Sequence, residues 1–246
     1  MGGVEAASCG GELDIPSCVI RSDYGDPMVI EAPRPPKLSL GDLVQGFLGD
    51  IGSEDFLEGM EFIDLNLAEA DATQATFLDC RWSNVNFGDA DAPIDLTGAR
   101  ISGTEIADCR ADTWNMTRGN LLHTEISGTR IGAGVVYDSV WEKVRFTDCR
   151  ISYLNLRGAK LTDVEFRDCK IDEIDLDRAK VSRVAFTGSS VGVFQCEGAT
   201  LGNVDIRGLE PHKISGVHSL RGATIDDTQL MLFAELFASE LGITVE

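Results

Sequence analysis

Positive charge is scarce in this chain. Its 21 lysines and arginines face 41 aspartates and glutamates, a net charge of −20 at pH 7, and a field of that sign disfavours direct binding of nucleic acid. Long apolar runs are missing too. No uninterrupted stretch approaches the length of a membrane span, so no membrane partner is expected. The first residues lack the charged-then-apolar layout of a signal peptide. Met-Gly-Gly-Val-Glu-Ala carries alanine where a myristoylation signal wants Ser or Thr. The cytoplasm is the expected location. There is no P-loop, nucleophile elbow, HExxH or CxxC pair, so neither an enzyme nor a cofactor is expected. Histidines number three, and His212 and His218 stand without acidic or thiol partners in sequence. They read as solvated loop side chains, not as metal ligands.

The seven cysteines do not make a disulfide framework, being odd in number and unpaired in spacing. Cys80, Cys109, Cys149 and Cys169 recur at one small inward position of a repeat, and Cys196 at a central inward one. Small buried thiols are an ordinary core filling. Cys9 and Cys18 lie in the N-terminal segment, where nothing completes a metal site.

What the chain has in abundance is a five-residue period. From Val144 to Gly208 every fifth residue is apolar: Phe146, Ile151, Leu156, Leu161, Phe166, Ile171, Leu176, Val181, Phe186, Val191, Cys196, Leu201 and Ile206. The residues two before these cycle in fours, as Val144, Cys149, Leu154, Ala159 and then Val164, Cys169, Ile174, Ala179. Five is the period of neither helix nor strand. A five nested in a twenty is the mark of a solenoid, with four short sides per coil and two residues of each pentad pointing inward. Gly, Asp, Asn, Ser and Thr at the outer positions suit the corners. Like positions then stack at about 4.8 Å and bury a core that no coil could form alone.

Pentads such as 99–103 (ARISG), 159–163 (AKLTD), 179–183 (AKVSR) and 199–203 (ATLGN) resemble the pentapeptide repeat family, over well over half of the chain. The resemblance implies an all-β solenoid, a right-handed quadrilateral β-helix, here with a C-terminal capping helix. It implies a kind of partner as well. Some members, among them the Qnr-type and mycobacterial quinolone-resistance groups, are similar to duplex DNA in shape and charge and bind DNA gyrase.

In chain order, residues 1–37 are rich in Gly, Ser, Pro and acids and read as a flexible tail. Residues 38–59 place Leu40, Leu43, Val44, Phe47, Leu48 and Ile51 at helical spacing, weakened by Gly41, Gly46, Gly49 and Gly52. They read as the N-terminal cap, with a partner-binding amphipathic helix as the alternative. Repeats fill 60–226, with a frame slip of one residue at 92–94 beside Pro93, and a break at 208–217 expected to project as a loop carrying Glu210, His212 and Lys213. Residues 227–246 read as a helix, capped by Asp227 or Thr228 and ended by Gly242, followed by a short strand. Its stripe is wider than one coil needs. Leu232, Leu236, Phe237, Ile243 and Val245 are therefore expected to pair two chains as a homodimer, an ending also similar to the dimerising Qnr-type C-terminus.

Charge is uneven. Residues 60–98 hold 8 acids (Glu61, Asp64, Glu69, Asp71, Asp79, Asp89, Asp91, Asp95) against Arg81 alone, whereas residues 99–207 hold 16 acids and 15 bases. The acidic coils are the expected contact for a topoisomerase; a general protein-interaction scaffold is the second reading. Arg110, Arg130, Arg150 and Lys170 fall at one outward position in successive coils, with Asp108, Asp148 and Asp168 each two residues ahead of a base. Either these acids neutralise the row, or the row contacts an acidic partner.

Overall fold

The computed structural model describes residues 30–245. Cys9, Cys18 and most of the expected flexible tail lie outside them. Coil 144–163 shows the repeating unit: wall 1 is 144–148 around Phe146, wall 2 is 149–153 around Ile151, wall 3 is 154–158 around Leu156, and wall 4 is 159–163 around Leu161. The four central side chains are buried. Asp148, Gly158 and Asp163 turn three corners with φ of 52°, 66° and 58°, a left-handed geometry that Gly, Asp and Asn tolerate best.

Successive coils stack in parallel at an offset of twenty. Phe146 pairs with Phe166, Ile151 with Ile171 and Leu161 with Val181. Strands such as Lys160–Arg167 run from wall 4 into wall 1, making one sheet of 13 strands, and strands such as Arg150–Asn155 run from wall 2 into wall 3, making a second of 6. The fold is the β-solenoid that the period predicts. Its core is one continuous column, with Phe146, Phe166 and Phe186 stacked at centroid spacings of 5.0 Å. The buried indole N–H groups of Trp82, Trp114 and Trp141 have no acceptor, a cost that their aromatic packing offsets.

The N-terminal cap is not helical. Val44–Gln45 adds a parallel strand to Met60–Ile63, and a single 3-10 turn follows at Leu48–Asp50, where Asp50 accepts the Phe47 N–H at 2.8 Å. Gly46 explains the choice. A β-carbon there would lie 2.3 Å from the Phe62 ring, so glycine lets bare backbone cover the open end of the core. A helix would instead carry four glycines at a cost of about 1 kcal/mol each.

The frame slip proves to be an insertion. Asn66 pairs with Asn86 at an offset of twenty, but Asp71 pairs with Asp95 at twenty-four. The four extra residues fold out as a hairpin of Gly88–Asp89 against Ala92–Pro93. In steps of five, adding four looks like losing one. Ala92 is consequently a half-buried hairpin residue, while Ile94 and Leu96 fill the core.

Nor does 208–217 project. Lys213–Ser215 is a strand of the smaller sheet, pairing with Val193–Gln195 at the usual offset, and Leu209 is buried. Main-chain pairing preserves the coil where the side-chain pattern lapses. A 3-10 turn at Val217–Leu220 then shortens the coil by one residue, so that Val204 pairs with Ala223.

The C-terminal end is closed by two short helices, α1 (Asp227–Leu232) and α2 (Ala234–Glu240), separated at Phe233, whose ψ of 2° breaks the expected single helix. Asp226, one residue before the predicted caps, is the N-cap; it forms a capping box with Gln229. The Gln229 side chain also donates to the carbonyls of Ile206 and Leu209, at 2.6 Å each, satisfying acceptors that the last coil leaves open. Gly242 ends α2 in the left-handed region, with Ile243 N–H returning to the Ala238 carbonyl at 2.8 Å. No strand forms at Ile243–Val245.

Candidate protein-binding surfaces

Wall 1 settles its own charge. Its outward ladder runs Glu61, Arg81, Glu105, Glu125, Arg145, Glu165, Ala185, Asp205 in register. Arg81 bridges Glu61 and Glu105 at 3.2 and 2.8 Å; Arg145 bridges Glu125 and Glu165 at 3.5 and 3.0 Å. Glu165 also meets Arg167 at 2.8 Å. Burial works against its charge, but Arg167 and Arg145 together hold the carboxyl below its ordinary range.

Wall 1 is also covered. Instead of trailing free, residues 30–36 lie on it: Ile30, Ala32, Pro33 and Pro35 share a depression with Glu165, Val184, Ala185 and Thr187. The Arg34 N–H donates to Asp163 at 3.1 Å, and that of Glu31 donates to Asn203 at 3.4 Å. Since Val44 pairs with Met60, the segment runs back lengthwise from the coil of Asn203 to the first coil. This strap corrects the expectation of a flexible tail through residue 37. Ala185, the one uncharged rung before Asp205, is where the prolines fit.

The acidic coils are placed differently. Asp64 and Asp79 sit at left-handed corners and Glu69 at a third, Asp71 and Asp95 are paired rungs of wall 3, and Asp89 and Asp91 belong to the hairpin, Asp91 in its turn. The carboxylates thus ring the rod instead of gathering on one face. Of the eight, Glu61 alone has a cationic partner among the described residues, and Asp64, Glu69, Asp71, Asp79, Asp89 and Asp91 are exposed. Hydrogen bonds from Thr73 hold the Asp71 carboxyl below its usual value.

On wall 2, Arg110, Arg130, Arg150 and Lys170 stand in direct register, all exposed. Among the described residues none reaches a carboxylate within 4 Å. The expected neutralisation by Asp108, Asp148 and Asp168 does not occur. The left-handed corner aims two of these side chains along the rod axis: the Asp108 and Asp168 carboxylates occupy the space where a β-carbon on Gly128 or Gly188 would sit.

Residues 142–178, where the frame is most regular, match the sequence model described as Pentapeptide repeats (8 copies), and the twenty-residue register continues on both sides of them, from Arg100 to Ser215. That stretch of the chain carries pentapeptide repeats. Among solved structures the chain is similar to HetL, a pentapeptide repeat protein involved in heterocyst differentiation regulation from the cyanobacterium Nostoc sp. strain PCC 7120. There the identity is 17% and the TM-score 0.36, over 71% of this chain and 90% of that one. It is similar also to full-length QnrB1, a plasmid-mediated fluoroquinolone resistance protein, at 14% identity and a TM-score of 0.26, over 74% of this chain and 98% of that one. No curated protein matches the chain.

The pentapeptide frame accounts for the cysteines. All five described ones are buried and unbridged. Burial pushes Cys109 up to about 11 and Cys196 up to about 12, so both stay thiols at neutral pH. Cys149 is pushed up as well, first by its contact with the Cys169 thiol and then by burial. Among the described residues no group of three or more His, Cys, Asp or Glu is placed to hold a metal ion, and no helix is long and apolar enough to cross a membrane. His212 N–H pairs with the Gly192 carbonyl, as part of the coil. His218 is exposed, as expected, but it sits on the 3-10 turn, 3.3 Å from Glu197 and 3.5 Å from Glu240. Glu210 and Lys213, exposed on either side of His212 in sequence, share wall 2 with it by the twenty-residue register. At the C-terminus, Leu232, Ile243 and Val245 are exposed, whereas Leu236 and Phe237 are half-buried, Phe237 packing edge-on to the buried Phe233 at 6.1 Å.

Proposed function

We propose that this pentapeptide repeat protein is not an enzyme but a rigid rod that binds a protein partner. The partner is DNA gyrase or a related type II topoisomerase, entered by the acidic first coils through partial DNA mimicry. The observation that supports this reading is the ring of six exposed carboxylates in residues 60–98 that have no cationic partner among the described residues. Two coils rise about 10 Å, a length over which duplex DNA carries about six charges. Eight acids against one base over that rise match DNA in density and surround the rod on several sides. Binding there would protect the enzyme from quinolones or from topoisomerase toxins.

A gyrase supercoiling titration with and without a quinolone, at two salt concentrations, tests the reading. Inhibition or drug protection is expected, weakening as salt rises and lost when Asp64, Asp71, Asp79 and Asp89 are changed to Lys. No effect at tens of micromolar protein excludes gyrase and leaves the general scaffold.

The active unit in this reading is a homodimer joined at the C-terminus. Leu230, Met231, Leu232, Leu241 and Ile243 are all more than half exposed, more apolar surface than helices that only close a coil would leave in water. Light scattering is expected to give twice the chain mass, and Leu232→Glu with Ile243→Glu to give monomers of unchanged circular dichroism. A monomeric parent protein removes this part of the proposal.

A further inference from the structure

Arg110, Arg130, Arg150 and Lys170 form a cationic row on wall 2, one per coil, in direct parallel register. At the spacing of paired strands the row is about 14 Å long. Like charges at that pitch repel, and wall 1 shows how this chain relieves such repulsion, bracketing Arg81 and Arg145 with glutamates on both sides. Wall 2 has no such relief among the described residues. Asp108 and Asp168 lean over the glycines of the next coil. Glu173 is held by Gln195, and Asp175 by Arg157 at 2.7 Å. Asp112 and Asp172 lie two positions further along the wall, exposed and without an ion pair among the described residues. Residues 30–36 of the strap lie on wall 1 and not on wall 2.

We propose that this row is a docking surface for an acidic protein surface, one presenting its own line of carboxylates. The flanking charges favour protein over nucleic acid. Asp108, Asp148 and Asp168 run along one edge of the row, and Asp112 and Asp172 along the other. A phosphate backbone can bring only negative charge to those edges. A protein can set carboxylates on the cations and neutral or basic groups over the flanking aspartates. The surface is separate from the acidic coils, so failure of the topoisomerase reading leaves it standing.

Fluorescence anisotropy with the full chain tests this. The probes are a labelled alternating Glu-Ser peptide of twelve residues and a labelled oligothymidylate of twelve nucleotides, each at about 20 and about 150 mM salt. The peptide is expected to bind at the lower salt and weaken at the higher. Arg130→Glu with Arg150→Glu should cost at least about tenfold in affinity, whereas Lys160→Glu with Lys180→Glu on wall 4 should change it less than about twofold. None of the four row cations has an ion pair among the described residues, so circular dichroism of the row variant should match the parent. Lack of peptide binding up to about 1 mM, equal loss from the wall 4 variant, or oligothymidylate binding as tightly as the peptide would each overturn the proposal.

Discussion

Phe166→Ala is expected to lower the unfolding free energy by about 4 kcal/mol. The ring is fully buried and lies between Phe146 and Phe186, nearly parallel to both, with interplanar angles of 16° and 8°. Deleting it removes the transfer free energy of a phenyl group and leaves a cavity that the surroundings cannot close. Neighbouring coils are held apart by main-chain ladders on the walls, and collapse along the axis would break them. Stability in a solenoid is close to a sum of coil terms and nearest-neighbour interfaces, so one substitution weakens the interfaces above and below together. Urea unfolding followed by circular dichroism measures the loss. Phe56→Ala, at a site 62% exposed, serves as the comparison, with an expected change within about 0.5 kcal/mol. If the two variants lose the same amount, the stacked column is not what holds the coils together.

The solenoid was readable because the inward side chains dictate it. A pentad with two apolar positions can bury both only by turning a corner every five residues, and from Leu96 to Ile206 nothing interrupts that logic. It fails where the backbone, not the side chains, sets the structure. The 208–217 segment looks like a projecting loop because Pro211 and His212 break the apolar rhythm, yet the main chain continues to pair with Val193–Gln195. The hairpin beside Pro93 hides because an insertion of four and a deletion of one are the same step in a frame of five. The cap mimics a helix because i, i+3, i+4 spacing carries no knowledge of Gly46 lying over Phe62.

The surfaces were readable in part. Register alone aligns Arg110, Arg130, Arg150 and Lys170, since any residues twenty apart share a rung. Whether Asp108, Asp148 and Asp168 neutralise them depends on where the corner points its side chains. That is a matter of φ near 53° and, for Asp108 and Asp168, of a glycine one coil on, which spacing does not reveal. The strap left almost no trace. Ala-Pro-Arg-Pro-Pro has no periodicity, and the feature that receives it, a small Ala185 in an otherwise charged ladder, becomes visible only once the rungs are aligned.

Asp163 is where strap and rod meet, and changing it should have the second large effect. Its side chain is almost fully buried at the corner of walls 4 and 1. It accepts from Arg183 of the next coil through Nε at 2.6 Å and Nη2 at 2.9 Å, and from the Arg34 N–H at 3.1 Å. The Arg183 hydrogen bonds, aided by Arg34 and opposed by burial, hold this carboxyl below its ordinary value. A group depressed in the folded state stabilises the protein fully above its unfolded pKa, about 3.9, and that stabilisation is lost as pH falls through the lower folded value. Asp163→Ala is expected to cost about 3 kcal/mol at neutral pH, chiefly by leaving Arg183 desolvated without its anion. Asp163→Asn, which keeps an acceptor for the strap, should cost less. The gap between either variant and the parent should narrow below about pH 4. The strap supplies a second readout. Trypsin cuts poorly between Arg34 and Pro35, so Lys37 is the informative site, and its cleavage should accelerate in Asp163→Ala at a temperature where the coils remain folded. Unchanged cleavage together with unchanged stability would mean that the strap is held by its prolines against Val184 and Ala185, and that the Asp163 contact only accompanies it.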